Sequence, residues 1–457
     1  MTDIAQRLAE AIGADKVLSG DAIGDDYTHD ECLTVAAVRP AALVRPESTA
    51  DVVAVLRLAD ETGTPVTARG AGTGLSGGAV PVPEGILVSF ERMDAIVEID
   101  TENHVAVVQP GVSLARLDEA LAPHGLIYPV YPGEYSAFLG GNVATNAGGM
   151  RAVKYGVTRH QVLGLEAVLP DGEVIRTGGK FVKASTGYDL TQLIVGSEGT
   201  LALVTEAILK LHPRPTAQAT VLAPFATLEQ VTAAVPRIVA SGIGPVILEY
   251  IDMLTMAAST SQLGLELGVP DEIRDAALAY LVVMMESMHA DRLDDDVEAL
   301  ATQLAELGAM DVYVLPAHAA AELIDAREKA FWLAKANNAD DIVDMVVPRA
   351  AVPAFMQAVS ELATEHQAWI AGCGHAGDGN VHLAVFQHDP EIRSRLMHRL
   401  FAAGMALGGA ISGEHGLGVA KKPYFLELEH PAKIELMRRI KAAFDPNGIL
   451  NPGTVFD

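Results

Sequence analysis

C-G-H-A-G-D-G-N-V-H, residues 373–382, lies between two apolar runs, W-I-A on one side and L-A-V-F on the other. Glycine and aspartate in its middle favour a bend, so the sequence predicts two strands joined by a loop. His375 and His382 then lie near the two ends of that loop.

A second glycine-framed motif, S-G-E-H-G, follows at residues 412–416. Two His and one Glu form a metal-ligand set that leaves coordination positions for a substrate. We therefore predict that His375, His382 and Glu414 bind one divalent metal, for which zinc, manganese and iron are all suitable. His415, next to a ligand, is the candidate general base. A glycine-rich turn with surface histidines is the alternative interpretation.

The composition is that of an ordinary globular protein, with 457 residues of which 50% are apolar and 20% charged. This length predicts two domains or three. The formal net charge of −27 argues against nucleic acid and anionic membrane surfaces as partners. The cysteines are Cys32 and Cys373, which excludes a disulfide framework and a Cys-based metal site.

The N-terminal sequence lacks the apolar centre of a signal peptide. No apolar run approaches the roughly 18 residues that a membrane-spanning helix needs. We expect a cytoplasmic protein, with peripheral attachment at the inner membrane face as an alternative.

Three glycine-rich segments lie in the first half of the chain. Glycine lets backbone N–H groups approach and bind phosphate, so the set predicts one long, phosphate-bearing cofactor. No Walker G-K-[S/T] occurs in the first segment, so a P-loop is not supported. Tight turns of a mixed sheet are the alternative. The segments are R-G-A-G-T-G-L-S-G-G (69–78), L-G-G-N-V-A-T-N-A-G-G-M-R (139–151) and S-T-G-Y-D-L-T-Q-L-I-V-G-S-E-G-T-L (185–201).

Local signals set several element boundaries before a domain boundary at Pro213 and Pro215. A helix begins at an N-cap, Ser48 or Thr49, and ends at Gly63. Another runs from Ser113 to about His124, and Asp171-Gly172 forms a hairpin turn. We also expect helices over residues 1–20, 319–336 and 431–443. After the prolines, alternating strands and helices predict a second α+β domain.

Seven motifs stand in one order from about residue 40 onward: R-G-A-G-T-G-L-S-G-G, G-G-N-V-A-T-N-A-G-G, G-Y-D-L-x-x-L, G-S-E-G-T-L, G-H-A-G-D-G-N-V-H, S-G-E-H-G and D-P-N-G-I-L-N-P-G. This order resembles flavoproteins of the vanillyl-alcohol oxidase and p-cresol methylhydroxylase superfamily. Within it, the chain is similar to the FAD-linked D-2-hydroxyacid dehydrogenases. That group holds D-lactate dehydrogenase, D-2-hydroxyglutarate dehydrogenase and the flavin subunit of bacterial glycolate oxidase.

The resemblance implies an α+β, two-domain fold. An FAD-binding domain would occupy residues 1–214, and an α/β substrate or cap domain with the metal site residues 215–412. Residues 413–457 would return to the FAD domain.

The resemblance also implies FAD as the cofactor. Some relatives attach flavin through a His, which none of the three glycine-rich segments contains, so we expect noncovalent FAD. Ala202 stands where relatives usually carry Gly. Residues 129–134 lack the P-D-P often seen there, so Pro132 and Ser136 are left out of the cofactor set. The implied contacts are Arg69, Gly70, Ala71, Gly72, Thr73, Gly74 and Leu75 at the pyrophosphate, Gly140, Gly141, Asn142, Thr145, Asn146 and Gly148 along the dinucleotide, and Gly199 and Val204 nearby.

The implied reaction oxidises a D-2-hydroxy acid to the 2-oxo acid, with hydride passing to flavin N5. The metal would lower the pKa of the substrate hydroxyl, and His415 would accept its proton. Arg327 matches the carboxylate-binding position of relatives, and Arg349 is a second candidate. A quinone, a cytochrome or an electron-transfer flavoprotein is the expected acceptor, because no nicotinamide motif is present. A homodimer is one option for assembly.

Three positions predict a short or apolar substrate such as D-lactate. The dicarboxylate-specific branch carries polar groups where this chain has Phe331, Ala384 and, in a loose alignment, Ile342. A distal carboxylate there would lose water without gaining a partner. The alternatives are a D-2-hydroxyglutarate dehydrogenase, a non-redox flavoenzyme like the alkyl-dihydroxyacetonephosphate synthases, and a metal-free flavin oxidase of sugars or alcohols.

Overall fold

The structure is a computed structural model that describes residues 4–456. By its internal contacts the chain forms two compact units. The first unit contains the residues up to Gly148, Val157–Pro213 and the residues from Glu414 onward. The second unit contains Gly149–Gly156 and Arg214–Gly413.

The strands range from two to nine residues. In chain order they are β1 (Val17–Leu18), β2 (Ala42–Val44), β3 (Val66–Arg69), β4 (Ile86–Ser89), β5 (Ile96–Asp100), β6 (Val105–Val108), β7 (Leu126–Ile127), β8 (Val162–Val168), β9 (Val174–Gly178), β10 (Leu203–Lys210), β11 (His212–Pro213), β12 (Ala217–Phe225), β13 (Ile247–Asp252), β14 (Ala279–Ser287), β15 (Tyr313–Val314), β16 (Asp341–Val346), β17 (Trp369–His375) and β18 (Asn380–Phe386).

The α-helices are distributed over both units. They are α1 (Ile4–Ile12), α2 (Thr49–Thr62), α3 (Leu114–Leu121), α4 (Leu139–Thr145), α5 (Ala152–Tyr155), α6 (Leu190–Ile194), α7 (Leu228–Ala240), α8 (Met253–Leu263), α9 (Asp271–Ala276), α10 (Ala290–Glu306), α11 (Ala317–Glu328), α12 (Ala330–Ala336), α13 (Val352–Glu365), α14 (Pro390–Ala406), α15 (Lys422–Leu428) and α16 (Pro431–Phe444).

A four-stranded sheet of order β1-β2-β4-β3 begins the first unit, with β2, β4 and β3 parallel. Its apolar side packs against α1 and α2 in a core that includes Leu8, Val55 and Val88. The Ser48 side chain accepts a hydrogen bond from the Asp51 amide, and α2 ends at Gly63 in the left-handed conformation. Both ends of this helix were predicted, because capping depends on local side-chain chemistry.

A five-stranded antiparallel sheet of order β5-β6-β10-β8-β9 also belongs to the first unit. Its core contains Leu117 and Leu121 of α3 together with Leu165 and Leu209. The turn at 171–172 joins β8 to β9, as predicted.

The end of the chain returns to this unit beside β3. The Val66 amide donates to the Ile449 carbonyl at 2.8 Å, and the Asn451 amide donates to the Val66 carbonyl at 2.7 Å. The C-terminal segment therefore extends the parallel sheet next to the strand that leads into the first glycine-rich segment.

A seven-stranded antiparallel sheet of order β15-β12-β14-β13-β17-β18-β16 forms the centre of the second unit. The hairpin predicted around residues 373–382 is β17–β18, with His375 as the last residue of β17. Successive residues of a strand point to opposite faces of the sheet, and directly paired residues of neighbouring strands point to the same face. The strand pairing therefore determines which side chains share a face.

Three predicted elements differ from the structure. The helix expected over residues 1–20 ends at Ile12, since Gly13 takes a φ of 105° that no helix accommodates. The helix expected over 319–336 is two helices, α11 and α12, which meet at Lys329 with a ψ of 5°. Part of the second glycine-rich segment is a helix, α4, rather than a loop. No helix in the described range is long and apolar enough to cross a membrane.

Candidate functional site

One cavity of the first unit is lined by all three glycine-rich segments. A neighbouring cavity shares Ala68, Gly70, Gly141, Ala144 and Gly199 with it. The predicted cofactor residues in the first cavity are Gly70, Ala71, Gly72, Thr73, Gly74, Leu75, Gly141, Asn142, Thr145 and Gly199, and those that line only the second are Arg69, Gly140 and Val204.

Two further predicted cofactor residues, Asn146 and Gly148, contact other segments of the chain. The Asn146 side-chain oxygen accepts a hydrogen bond from the Arg159 amide at 2.9 Å. Gly148 packs against Glu414, because a Cβ there would lie 2.7 Å from Glu414 Oε2.

The Arg69 guanidinium donates to the carbonyls of His29 and Asp26 at 2.6 and 2.7 Å. It thus anchors the segment before β2 beside the cavity.

Asn142 provides a test of whether this cavity suits a polar cofactor. Its side chain is buried and lines the cavity, and its amide nitrogen has no hydrogen-bond partner among the described residues. A buried donor without a partner is costly, so it indicates a ligand acceptor. A cavity with a glycine-rich wall and such a donor fits FAD.

Several residues that line the cavity were not predicted from the sequence. Glu198 lies in the motif G-S-E-G-T-L, of which only Gly199 was predicted to contact the cofactor. An acidic residue inside a glycine-rich run was the available signal. Pro132 was set aside because its neighbours departed from the family pattern. The others are Asp30, Ala68, Ser76, Gly78, Ala79, Glu134, Ala137, Phe138, Ala144 and Ala147.

The predicted base lies at the same cavity. Glu414 and His415 both line it, and His415 Nε2 is 3.8 Å from Glu414 Oε1. The Ser76 hydroxyl, from the first glycine-rich segment, donates to the His415 carbonyl at 3.2 Å. One predicted metal ligand and the predicted base are therefore held beside the cofactor segments.

The other two predicted ligands belong to the second unit. Residue Cys373 pairs with His382, and His375 pairs with Asn380. Because His375 is two residues from Cys373, both imidazoles lie on one face of the sheet. Their ring centroids are 4.7 Å apart with an interplanar angle of 77°.

Glu249 of β13 connects two predicted site residues. It is fully buried; its Oε1 lies 2.5 Å from His375 Nδ1, and its Oε2 lies 2.7 Å from an Arg327 guanidinium nitrogen. Burial alone raises the pKa of Glu249, but the positive charge of Arg327 and the contact with His375 outweigh it and hold that pKa below its usual value. The His375 ring is thus oriented by a carboxylate at Nδ1, which directs Nε2 elsewhere.

Asp344 of β16 forms a second buried polar centre on this face. It is opposite His382 in the register, with Oδ1 4.0 Å from His382 Nδ1. Its carboxylate also accepts from Asn380 Nδ2 at 2.9 Å, the Ser412 hydroxyl at 2.7 Å and the Gly413 amide at 3.1 Å. Asp344 therefore holds Ser412 and Gly413, the last residues of the second unit, next to His382.

The remaining predicted substrate residues differ in exposure. Arg327 is buried on α11, whereas Arg349 is exposed after β16. Phe331 is half-buried on α12, with its ring centroid 5.3 Å from that of Trp332. Ile342 is directly opposite Ala384.

Comparison with known proteins gives two family models that match this chain. One is described as "FAD linked oxidases, C-terminal domain" and matches residues 214–455. The other is described as "FAD binding domain" and matches residues 40–178.

Relatives and solved structures agree with these models. An uncharacterized FAD-linked oxidoreductase of Mycobacterium tuberculosis is 60% identical, over 100% of this chain and 99% of its own length. A D-lactate dehydrogenase of Anaerostipes hadrus is 38% identical, over 97% and 95%. A crystal structure of p-cresol methylhydroxylase with substrate bound is similar, with a TM-score of 0.79 at 18% identity, over 99% of this chain and 96% of that one.

The structural likeness confirms the predicted α+β, two-domain fold of the p-cresol methylhydroxylase type. The relatives match this chain over nearly its full length. The chain therefore belongs to the FAD-linked oxidases, and it is an FAD-linked oxidoreductase.

Proposed function

We propose that this enzyme oxidises a D-2-hydroxy acid with a short or apolar side chain, such as D-lactate, to the 2-oxo acid with noncovalent FAD and one divalent metal. The observation that carries the proposal is that Glu414 and His415 line the cavity formed by the three glycine-rich segments. The relative named D-lactate dehydrogenase supports the substrate class.

The cofactor-binding part of the proposal uses the glycine-rich wall and the Asn142 amide. Backbone N–H groups of glycine-rich segments can bind the pyrophosphate. Bound FAD supplies the acceptor for the hydride that leaves the substrate carbon.

Three protein groups are proposed as metal ligands: His375, His382 and Glu414. Glu249 occupies Nδ1 of His375 and so leaves Nε2 as the ligand atom. Gly413, whose amide donates to Asp344, directly precedes Glu414 in the chain. Zinc, manganese and iron suit this donor set, and the metal would lower the pKa of a substrate hydroxyl by Lewis acidity.

His415 and Arg327 are proposed to act on the substrate itself. His415 accepts the hydroxyl proton, a step suited to imidazole near neutral pH. Arg327 binds the substrate carboxylate, because a guanidinium can bind a carboxylate through two parallel N–H donors. Arg349 is the second candidate for that contact.

The preference for small substrates rests on the sheet face that carries His382. Ala384 is two residues from His382 and opposite Ile342, so both side chains lie on that face. A distal carboxylate against these positions and Phe331 would lose hydration without a polar partner.

The electron acceptor and the cellular setting are also proposals. A quinone, a cytochrome or an electron-transfer flavoprotein accepts the electrons, and nucleic acid is not a partner. The protein acts in the cytoplasm, with attachment to the inner membrane face as an alternative, and a homodimer is a possible form of assembly.

An anaerobic panel of hydroxy acids, monitored by flavin absorbance, tests reaction class and substrate together. D-lactate should bleach the flavin, and a chelator should slow the bleaching. An enzyme of the alkyl-dihydroxyacetonephosphate synthase type would not bleach with any member of the panel. Bleaching by sugars or alcohols that a chelator does not slow would instead indicate a metal-free oxidase, and either result contradicts the proposal.

A further inference from the structure

Glu198 makes a two-point contact with the segment that follows the predicted base. Its Oε1 accepts a hydrogen bond from the Leu417 amide at 2.8 Å, and its Oε2 accepts one from the Gly418 amide at 2.8 Å. Both acceptor atoms of one carboxylate are therefore used to fix two successive backbone amides.

Ser76 holds the same segment on both sides of these amides. Its hydroxyl is within hydrogen-bond distance of the His415 and Gly416 carbonyls, at 3.2 and 3.0 Å. Its own carbonyl accepts from the amides of Val419 and Ala420 at 2.9 and 3.1 Å. Residues 415–420 are thus bound by one residue from each of two cofactor segments.

The Glu198 backbone is itself fixed in an uncommon conformation. Its φ of 52° lies in the left-handed region, which non-glycine residues rarely adopt. The Glu198 amide donates to the Ala144 carbonyl at 2.8 Å, and the Asn451 side-chain amide donates to the Glu198 carbonyl at 2.7 Å. A strained residue held at both backbone ends indicates a specific role for its side chain.

The glycines around His415 are explained by the same contacts. Gly416 and Gly418 have positive φ values of 78° and 52°. A Cβ on Gly418 would lie 2.0 Å from the Ser76 carbonyl oxygen, and one on Gly416 would lie 3.0 Å from the Glu198 carboxyl carbon. The segment therefore needs glycine in order to approach the two residues.

We propose that Glu198 and Ser76 form a clamp that positions His415 and connects the placement of the base to the cofactor-binding segments. Both residues line the cofactor cavity together with His415. Glu198 acts through the backbone of residues 417–418, so it is a positioning residue. This inference rests on the proposed role of His415 as the base.

Glu198→Gln is the sharpest test, because it keeps the shape and replaces one acceptor oxygen with an NH₂ group. Either the Leu417 amide or the Gly418 amide then faces this NH₂ group instead of an acceptor oxygen. Leaving a buried donor without an acceptor should loosen the segment, and we expect flavin reduction by D-lactate to slow by about 10- to 100-fold. Bound FAD is measured by flavin absorbance in the same variant, so that the reduction rates are compared at equal FAD content.

A matched control is available at Glu84, an exposed residue that also has a positive φ, of 61°. Glu198→Gly removes the side chain and relieves the backbone conformation, and Glu84→Gly makes the same chemical change outside the cavity. The first should slow flavin reduction, and the second should not. Ser76→Ala should slow flavin reduction less than Glu198→Gly, because the backbone carbonyl of residue 76 still accepts hydrogen bonds from the Val419 and Ala420 amides.

Hydrogen exchange of the holoenzyme separates the clamp from the base. Amides of residues 417–420 should exchange faster in Glu198→Gln than in the wild type or in Glu84→Gly. Wild-type exchange there, or wild-type flavin reduction, in Glu198→Gln would overturn the clamp. An unchanged reduction rate in His415→Ala would instead show that His415 is not the base. Hydrogen exchange in Glu198→Gln would then still show whether Glu198 holds residues 417–420.

Discussion

Glu249→Gln should destabilise the second unit strongly, although it changes one atom of a side chain. Glu249 is fully buried on β13 and faces both Arg327, at 2.7 Å, and His375, at 2.5 Å. Glutamine keeps the size and removes the charge, so packing is preserved while the ion pair is lost.

The magnitude follows from the separation and the burial of the pair. At 2.7 Å and an effective dielectric constant of about 20, the attraction is about 6 kcal/mol, and desolvation of both charges subtracts from it. Loss of one member of a buried pair typically costs about 3–5 kcal/mol. The pKa of Glu249 is below its usual value. Its contribution to stability is therefore present above the unfolded pKa, is lost as pH falls through the lower folded pKa, and is full at neutral pH.

A double-mutant cycle isolates the pair from other effects of each substitution. Its members are Glu249→Gln, Arg327→Met and the double variant, unfolded in urea at pH 7. Trp332 and Trp369 are the chain's two tryptophans, and both lie in the second unit, so their fluorescence reports its unfolding. We expect a coupling energy of about 2–4 kcal/mol, below the single-variant cost because the cycle removes the remaining desolvation penalty.

The pair Asp325 and Lys329 is the matched control. Its nitrogen–oxygen distance is also 2.7 Å, but both side chains are more than half exposed. Exposed pairs contribute about 0–1 kcal/mol, so Asp325→Asn with Lys329→Met should show little coupling. If the buried and exposed pairs couple equally, burial does not determine the strength of this interaction and the reasoning is wrong.

Four further outcomes test the proposed function. Denaturation should release FAD from the yellow protein into a filtrate, and flavin retained on the chain would show covalent attachment. His382→Ala and Glu414→Ala should each lose bound metal and keep FAD, which elemental analysis and flavin absorbance measure together; full metal content in either would remove that residue from the ligand set. His415→Ala should keep the metal and slow flavin reduction by about 100- to 10,000-fold, and a wild-type rate would exclude it as base. Ile342→Lys should shift the ratio of kcat/KM from D-lactate toward D-2-hydroxyglutarate, and an unchanged ratio would place that side chain outside the substrate pocket.

Local chemistry made much of the fold predictable. Ser48, Gly63 and the 171–172 turn define element ends through contacts within a few residues. The glycine-rich segments were recognisable because few other roles require such density, and the structure places all three around one cavity.

Long-range partners were not predictable in this way. Glu249 is 126 residues before His375 in the chain, and no spacing rule connects them. Its one signal was a charged residue inside the apolar strand V-I-L-E-Y-I. A carboxylate in a buried strand requires a partner, so the sequence could have indicated that a cation faces it, but not which one.

Adjacent residues of β18 point to opposite faces of the sheet and therefore have different roles. His382 and Ala384 lie on the face that carries Glu249 and Asp344, whereas Leu383 and Val385 point to the other side and are almost fully buried. A shift of one residue in the pairing with β16 would exchange these sets, burying an imidazole in the apolar core and removing it from the polar face. The register of this one strand therefore determines both the polar face and the apolar positions proposed to select the substrate. Substitutions at Leu383 or Val385 should consequently reduce stability before they alter selectivity, while substitutions at Ala384 should do the reverse.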